Sequence, residues 1–135
     1  MAEAPPDALP TPALATTWHA HLVADGEASL AAGRWPVLLV LVNRDLTAHA
    51  VEPQGIRELR LRCPVHGIGL TCHDDPPPAP KVRVPPGGEL ILPLDLLERV
   101  QQRGRLLPGE YRVSMTIGTD GGLLPVPAST LRLGA

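Results

Sequence analysis

The stretch "LLPGEYRVSMTI", Leu106 to Ile117, decides how this chain is read. Tyr111, Val113, Met115 and Ile117 fall on one face, and the residues between them are charged or hydroxylated. Period two is the signature of a half-buried strand. Pro-Gly directly before a strand that opens with tyrosine is the pattern of a tyrosine corner. There the phenol folds back and hydrogen-bonds the backbone a few residues upstream. Tyr111 is therefore expected to be a buried structural corner, bonded in the Leu106 to Pro108 region.

Upstream the same punctuation recurs. Seventeen Pro and thirteen Gly in 135 residues leave little room for long helices and mark out short strands. "TTWHAHLVA" puts Trp18, Ala20, Leu22 and Ala24 on one face and His19, His21 and Val23 on the other; "DGE", Asp25 to Glu27, then turns. "PVLLVLVN" is apolar on both faces, so Val37 to Val42 is expected to be a central strand covered from both sides. "IRELRLRC" alternates, with Leu59, Leu61 and Cys63 inward and Arg60 and Arg62 outward. "DDPPPAPKVRVPPGG" reads as an edge crossing, because proline cannot donate to a ladder; a short strand around Lys81 to Val84 runs through it. After the strand "ELILPL", Asp95 and Glu98 form a capping box and Gly104 a C-terminal stop around two helical turns. "GTDGG" turns the chain and "STLRL" closes it. Seven to eight strands with one short helix before the penultimate strand make an all-β fold, an immunoglobulin-like antiparallel β-sandwich. Residues 1–15, rich in Pro and Ala, read as a disordered leader, and 16–135 as the sandwich.

With "LVLVNRD" on the second strand, "VPPGGELILPL" on the fifth and the late Pro-Gly-x-Tyr, the region Val37 to Ile117 resembles bacterial immunoglobulin-like domains. Within these it is similar to the intracellular proteinase inhibitor (BsuPI-like) family. That resemblance implies the sandwich fold and, as one function, a rigid exposed loop complementary to a protease cleft. It carries over no functional residue.

Both cysteines and two of the five histidines lie in "RCPVHGIGLTCHDD", Arg62 to Asp75. The segment is a metal site, a redox switch, a disulfide staple or the middle of a hairpin. A two-residue loop at Gly67-Ile68 would suit a type II′ turn and would set Cys63 opposite Cys72, Val65 opposite Leu70 and His66 opposite Gly69. Cys63 and Cys72 would then be neighbouring core-facing thiols, or a disulfide in an oxidising compartment, with His66 at the turn and His73 facing outward. Ligands for a shared metal must converge, and Cys63, His66, Cys72 and His73 would not. A bulge would shift the register and reopen the metal reading.

The remaining candidates each have a plainer reading beside them. His19 and His21 could grip a divalent metal or be solvated strand histidines. Asn43 to Asp45 is a polar constellation or a strand-ending turn. Asp74 and Asp75 lack the ligand series of a calcium loop. Arg57, Arg60 and Arg62 form a basic stripe offset by Glu58, read as solvent face before phosphate reader. Pro76, Pro77, Pro78, Pro80 and Lys81, with Asp74 and Asp75, form a stiff exposed loop or a polyproline ligand for a partner's aromatic groove.

Twelve basic against fourteen acidic residues give a net charge of −2, which argues against nucleic acid or an anionic membrane as partner. No apolar run approaches the ~18 residues of a membrane span, and the start lacks the basic region of a signal peptide, so the cytoplasm is the expected compartment. One Lys against eleven Arg is the bias of a GC-rich bacterial genome. There is no nucleophile elbow and no phosphate-binding glycine loop. The expectation is a non-catalytic protein-binding module that needs no cofactor. It would recognise another protein through the Asp74 to Gly88 segment, the Gly118 to Pro127 turn or an edge strand, which could also pair two copies. Proteinase inhibition, or metal and redox chemistry at the cysteine–histidine hairpin, are the alternatives.

Overall fold

The computed structural model describes residues 17–100 and 103–135, so the expected leader lies outside the described residues. Eight strands follow in order: β1 (Trp18–Ala24), β2 (Pro36–Asn43), β3 (His49–Cys63), β4 (Ile68–His73), β5 (Val82–Val84), β6 (Glu89–Asp95), β7 (Gly109–Thr119) and β8 (Gly122–Leu133). A single helical turn, α1 (Leu96–Arg99), and a 3-10 turn at Arg103–Arg105 bridge β6 to β7. The strands form two antiparallel sheets, β1-β2-β6 and β4-β3-β7-β8, with β5 pairing the start of β3. This is an all-β sandwich.

Alternation builds the core. Trp18 and Leu22 of β1, Val37, Leu39 and Leu41 of β2, Leu59, Leu61 and Cys63 of β3, and Tyr111, Val113 and Ile117 of β7 all turn inward and are buried. Val37, Leu39 and Leu41 are wholly inaccessible, whereas Leu38, Val40 and Val42 on the other face are half-buried. Among the described residues β2 is thus central in its sheet but covered by a second layer on one face only. Its outer side chains are shielded by cross-strand neighbours such as Val23 and Ile91, themselves exposed.

Three further expectations are corrected. The helix is one turn: Asp95 caps it by accepting from the Leu97 amide, but Val100 is already extended and buried, and Gly104 sits in the 3-10 turn. Burying Val100 pulls the chain out of the helix before a second turn forms. The Gly118 to Pro127 segment is not an open loop. Gly118 pairs with Leu123 and Thr116 with Pro125, leaving only Asp120 and Gly121 as the turn. β3 starts seven residues earlier than Ile56, because a bulged stretch carries Pro53 and Gly55 through the pairing with β7. At Gly55 a Cβ would stand 2.6 Å from Glu52 Cβ, so the bulge excludes any larger residue without rearrangement.

Asn43, at the end of β2, is completely buried and ties three segments together. Its amide nitrogen donates to the Thr47 and Val84 carbonyls at 2.9 and 3.0 Å, and its side-chain oxygen accepts from the Asp45 amide at 2.9 Å. Its backbone closes on Gly87 and Gly88. The polar constellation at Asn43 to Asp45 is therefore structural. Asn43→Ala removes a buried donor from the Thr47 and Val84 carbonyls and the acceptor of the Asp45 amide, and is expected to cost about 1–3 kcal/mol. Chemical denaturation checks this: the midpoint should fall with the slope unchanged.

Candidate protein-binding site

The cysteine–histidine hairpin has a different register from the one expected. Cys63 lies opposite Ile68, and Leu59 lies opposite Cys72. The loop is Pro64 to Gly67, closed by the Gly67 amide on the Pro64 carbonyl at 3.2 Å, with Gly67 at φ +62°. The reason is Pro64. In the two-residue-loop register it would face Thr71 at a hydrogen-bonded position, and it has no N–H to give. Pairing stops at Cys63 instead. The shift is even, so both thiols still point inward and both are buried and free. They stand four positions apart along the ladder, about 13 Å at strand rise. A disulfide allows no more than about 7 Å between Cα atoms. Val65, expected on the core face, is 85% exposed in the loop.

The two imidazoles go elsewhere. His66 is exposed, and its Nε2 bonds the Pro108 carbonyl at 3.1 Å, fastening the hairpin loop to the start of β7. His73 faces outward near Glu58. Among the described residues no group of three or more His, Cys, Asp and Glu side chains is placed to hold a metal ion. His19 and His21 do come together on the outer face of β1, with ring centroids 5.3 Å apart.

The arrangement that could engage another protein lies beside this hairpin. β4 is the outermost strand of its sheet. The Asp74 amide donates to the Arg57 carbonyl, which sets the alternation: even-numbered β4 residues bond β3, and Gly69 and Thr71 aim their backbone N–H and C=O groups away from the sheet. No proline or bulge interrupts this edge. β6 differs, because Gly88 and Leu96 mark the residues bonded to β2, so Pro93 falls on the outward row and deletes a donor from the middle of that edge. β4 is the more receptive edge of the two.

β4 runs directly into the segment Asp74 to Lys81, which has no secondary structure and is largely exposed. Asp74 is anchored by its bond to Arg57, and Asp75, fully exposed, lies 3.6 Å from the Arg57 guanidinium. Beyond them Pro76, Pro77, Pro78 and Pro80 offer carbonyls and no amide donors, so the segment is stiff and cannot fold back into a ladder. Beneath this junction lies a cavity of about 370 Å³, bounded by Leu59, Cys72, His73, Asp74, Glu98 and Arg99 among others. The basic stripe is partly neutralised: Arg57 also pairs with Glu52 at 3.2 Å, and Arg60 pairs with Glu58.

A cluster invisible in the linear sequence sits at one end of the sandwich. His49 Nε2 meets Asp45 Oδ2 at 2.7 Å and His49 Nδ1 meets Asp120 Oδ1 at 3.3 Å. Thr47 Oγ1 is 3.3 Å from the same Nε2, a layout that suggests a nucleophile–base pair. The surrounding carboxylates give the cluster a second character. The hydrogen bond that the His49 ring donates to Asp45 holds the His49 pKa above its ordinary value, with Asp120 adding to the effect against some desolvation; His49 in turn holds Asp45 low. Both ring nitrogens face carboxylate oxygens, and the Thr47 hydroxyl itself donates to Asp45 Oδ2 at 3.4 Å, so the cluster is knit together as a clasp. Asp120 Oδ2 also accepts from the Ala50 amide, so the cluster fastens the β2–β3 loop to the β7–β8 turn.

No protein-family model matches the chain, and no curated protein matches it. Among solved structures it is similar to the X-ray structure of Northeast Structural Genomics Consortium target SoR45. The TM-score is 0.51 at 9% identity, covering 90% of this chain and 89% of that one. At that identity the likeness speaks for the fold alone. No helix among the described residues is long and apolar enough to cross a membrane.

The His49 clasp makes stability depend on pH in a defined direction. A folded-state pKa above the unfolded value of about 6.5 contributes stability that is complete below that value and is lost as pH rises through the folded pKa. The lowered Asp45 pKa contributes stability above about 3.8 that is lost as pH falls through its folded value. NMR titration should place His49 above 6.5, and Asp45→Asn should bring it down. A titration at or below the free-histidine value would remove the clasp.

Proposed function

We propose that the chain is a non-catalytic protein-binding module that takes an extended segment of another protein onto the open edge of β4. One observation carries this reading. The outward N–H and C=O groups of Gly69 and Thr71 form a free, uninterrupted edge that continues into the stiff Asp74 to Lys81 segment. Main-chain bonds to such an edge supply affinity, and alternate side chains of the added strand supply specificity. The cavity walled by Leu59, Cys72 and His73 lies where one of those side chains would reach. The prolines lower the ordering cost of association, because they are already restricted before the partner arrives.

The same stiff segment supports proteinase inhibition as a second reading, the one that similarity to the intracellular proteinase inhibitor family implies. There the loop would enter a protease cleft instead of bordering a partner strand.

The experiment uses Thr71→Pro, which deletes an outward donor and leaves the bonds between β3 and β4 in place. A partner retained by the native protein from its host lysate should be lost by Thr71→Pro, while the melting transition stays cooperative. Full retention by the variant would overturn the edge reading. Dose-dependent inhibition of a serine protease, abolished by replacing Pro76 to Pro78 with Gly and Ser, would establish the inhibitor in its place.

A further inference from the structure

The outer face of the larger sheet sets two like charges directly opposite each other. Arg62 of β3 and Arg112 of β7 are direct cross-strand partners. Cβ atoms at such a pair stand about 4.5–5.5 Å apart, and like charges placed there repel. Both are exposed, and neither has a carboxylate partner among the described residues. Arg60 follows two positions along β3, opposite Ser114. Together Arg60, Arg62, Arg112 and Ser114, with Pro64 and Ala128, line a depression of about 480 Å³ that contains no acidic side chain. In a chain of net charge −2, this is a concentrated positive site.

The local backbone is shaped to leave room there. The pairing of β7 with β8 shifts register between Val113 and Met115, so Pro127 and Ala128 together oppose Ser114. That bulge puts the small side chain of Ala128 against the depression. Bulges of this kind recur beside binding sites, where they re-aim neighbouring side chains.

We propose that this depression binds a phosphate monoester dianion, either free or carried on a side chain of a protein partner. The chemistry selects the ligand class. One arginine fork satisfies both oxygens of a carboxylate, whereas a phosphate offers three acceptor oxygens and close to two negative charges. Two facing guanidiniums match the latter. Arg62 and Arg112 grip the oxygens from opposite strands, and the Ser114 hydroxyl donates from the floor. Arg60, shared with Glu58, closes the rim. Bound phosphate converts the Arg62–Arg112 repulsion into two attractions. This site lies on the sheet face and uses neither the β4 edge nor the proline segment, so either can fail without the other.

The test is NMR titration of the arginine Nε–H signals at constant ionic strength, with inorganic phosphate, a phosphoserine peptide and the same peptide unphosphorylated. Saturable shifts of Arg62, Arg112 and the Ser114 amide are expected with phosphate and the phosphopeptide, and none with the unphosphorylated peptide. Tighter binding of the phosphopeptide identifies a partner-borne phosphate, and equal binding identifies the free ion. The double variant Arg62→Gln/Arg112→Gln should lose at least about tenfold in affinity, equivalent to ~1.4 kcal/mol. Arg112→Lys, which keeps the charge without the fork, should lose most of it as well. Phosphate should raise the melting temperature of the native protein and not of the double variant, which is itself expected to be no less stable in phosphate-free buffer. Shifts that track ionic strength alone, or a double variant that responds like the native protein, would overturn the proposal.

Discussion

The Tyr111 phenol holds one residue by both its amide and its carbonyl. Its hydroxyl donates to the Leu107 carbonyl at 2.7 Å and accepts from the Leu107 amide at 3.0 Å. Its ring meets Trp35 edge-on, with centroids 5.4 Å apart. Trp35 stands immediately before β2, in the other sheet, and its amide is held by Asp95, the residue that also caps α1. One buried side chain thus joins the larger sheet to the smaller and fixes the crossing between β6 and β7. Burial pushes the Tyr111 pKa further above its ordinary value, so the phenol stays neutral and keeps its donor proton across physiological pH. The neighbourhood is close-fitted: a Cβ on Gly109 would come within 3.4 Å of Cys63 Sγ and 3.6 Å of the His66 ring. The glycine of the Pro-Gly pair is thus where the thiol, the imidazole and the corner converge.

With the inner faces committed to this core, the sandwich is left with outer faces of opposite character. The three-stranded sheet turns Val23, Leu38, Val40, Val42 and Ile91 outward, a band of aliphatic side chains. The larger sheet turns arginines outward, partly neutralised by Glu58. Between them run strand edges of unequal openness. Pro93 blunts one, whereas β4 stays open and leads into a segment that cannot fold back on it. A scaffold of this kind places recognition at its periphery because its interior is spent on holding the sheets together.

The fold was legible because period-two alternation and glycine–proline punctuation act locally: Trp18 to Ala24, Leu59 to Cys63 and Tyr111 to Ile117 each show their buried face in sequence. Where long-range pairing decides, the sequence misleads. The strand read from Ile56 begins at His49, because β3 carries Glu52 to Gly55 through as a wide bulge, five steps on β3 from Val51 to Ile56 against two on β7 from Thr119 to Ile117. The hairpin register turned on whether Pro64 would be asked for a hydrogen it does not have, a constraint present in the sequence but outweighed by the attraction of a Gly67 turn. His49 and Asp120 are 71 residues apart, and Arg62 and Arg112 are fifty; only folding makes either pair. The basic stripe was visible, but its partner on β7 was not.

The dependence of the whole arrangement on the tyrosine corner can be measured at a single amide. Leu107 lies in an irregular connection between helical turns and β7, where an amide without a partner exchanges rapidly with solvent. Because its N–H is bonded to the Tyr111 hydroxyl, hydrogen exchange at Leu107 should be slow in the native protein, close to the protection of the β7 amides. It should become fast in Tyr111→Phe, while the β1–β2 ladder stays protected. A Leu107 amide that exchanges in the native protein as quickly as one in the Pro64 to Gly67 loop would contradict the account.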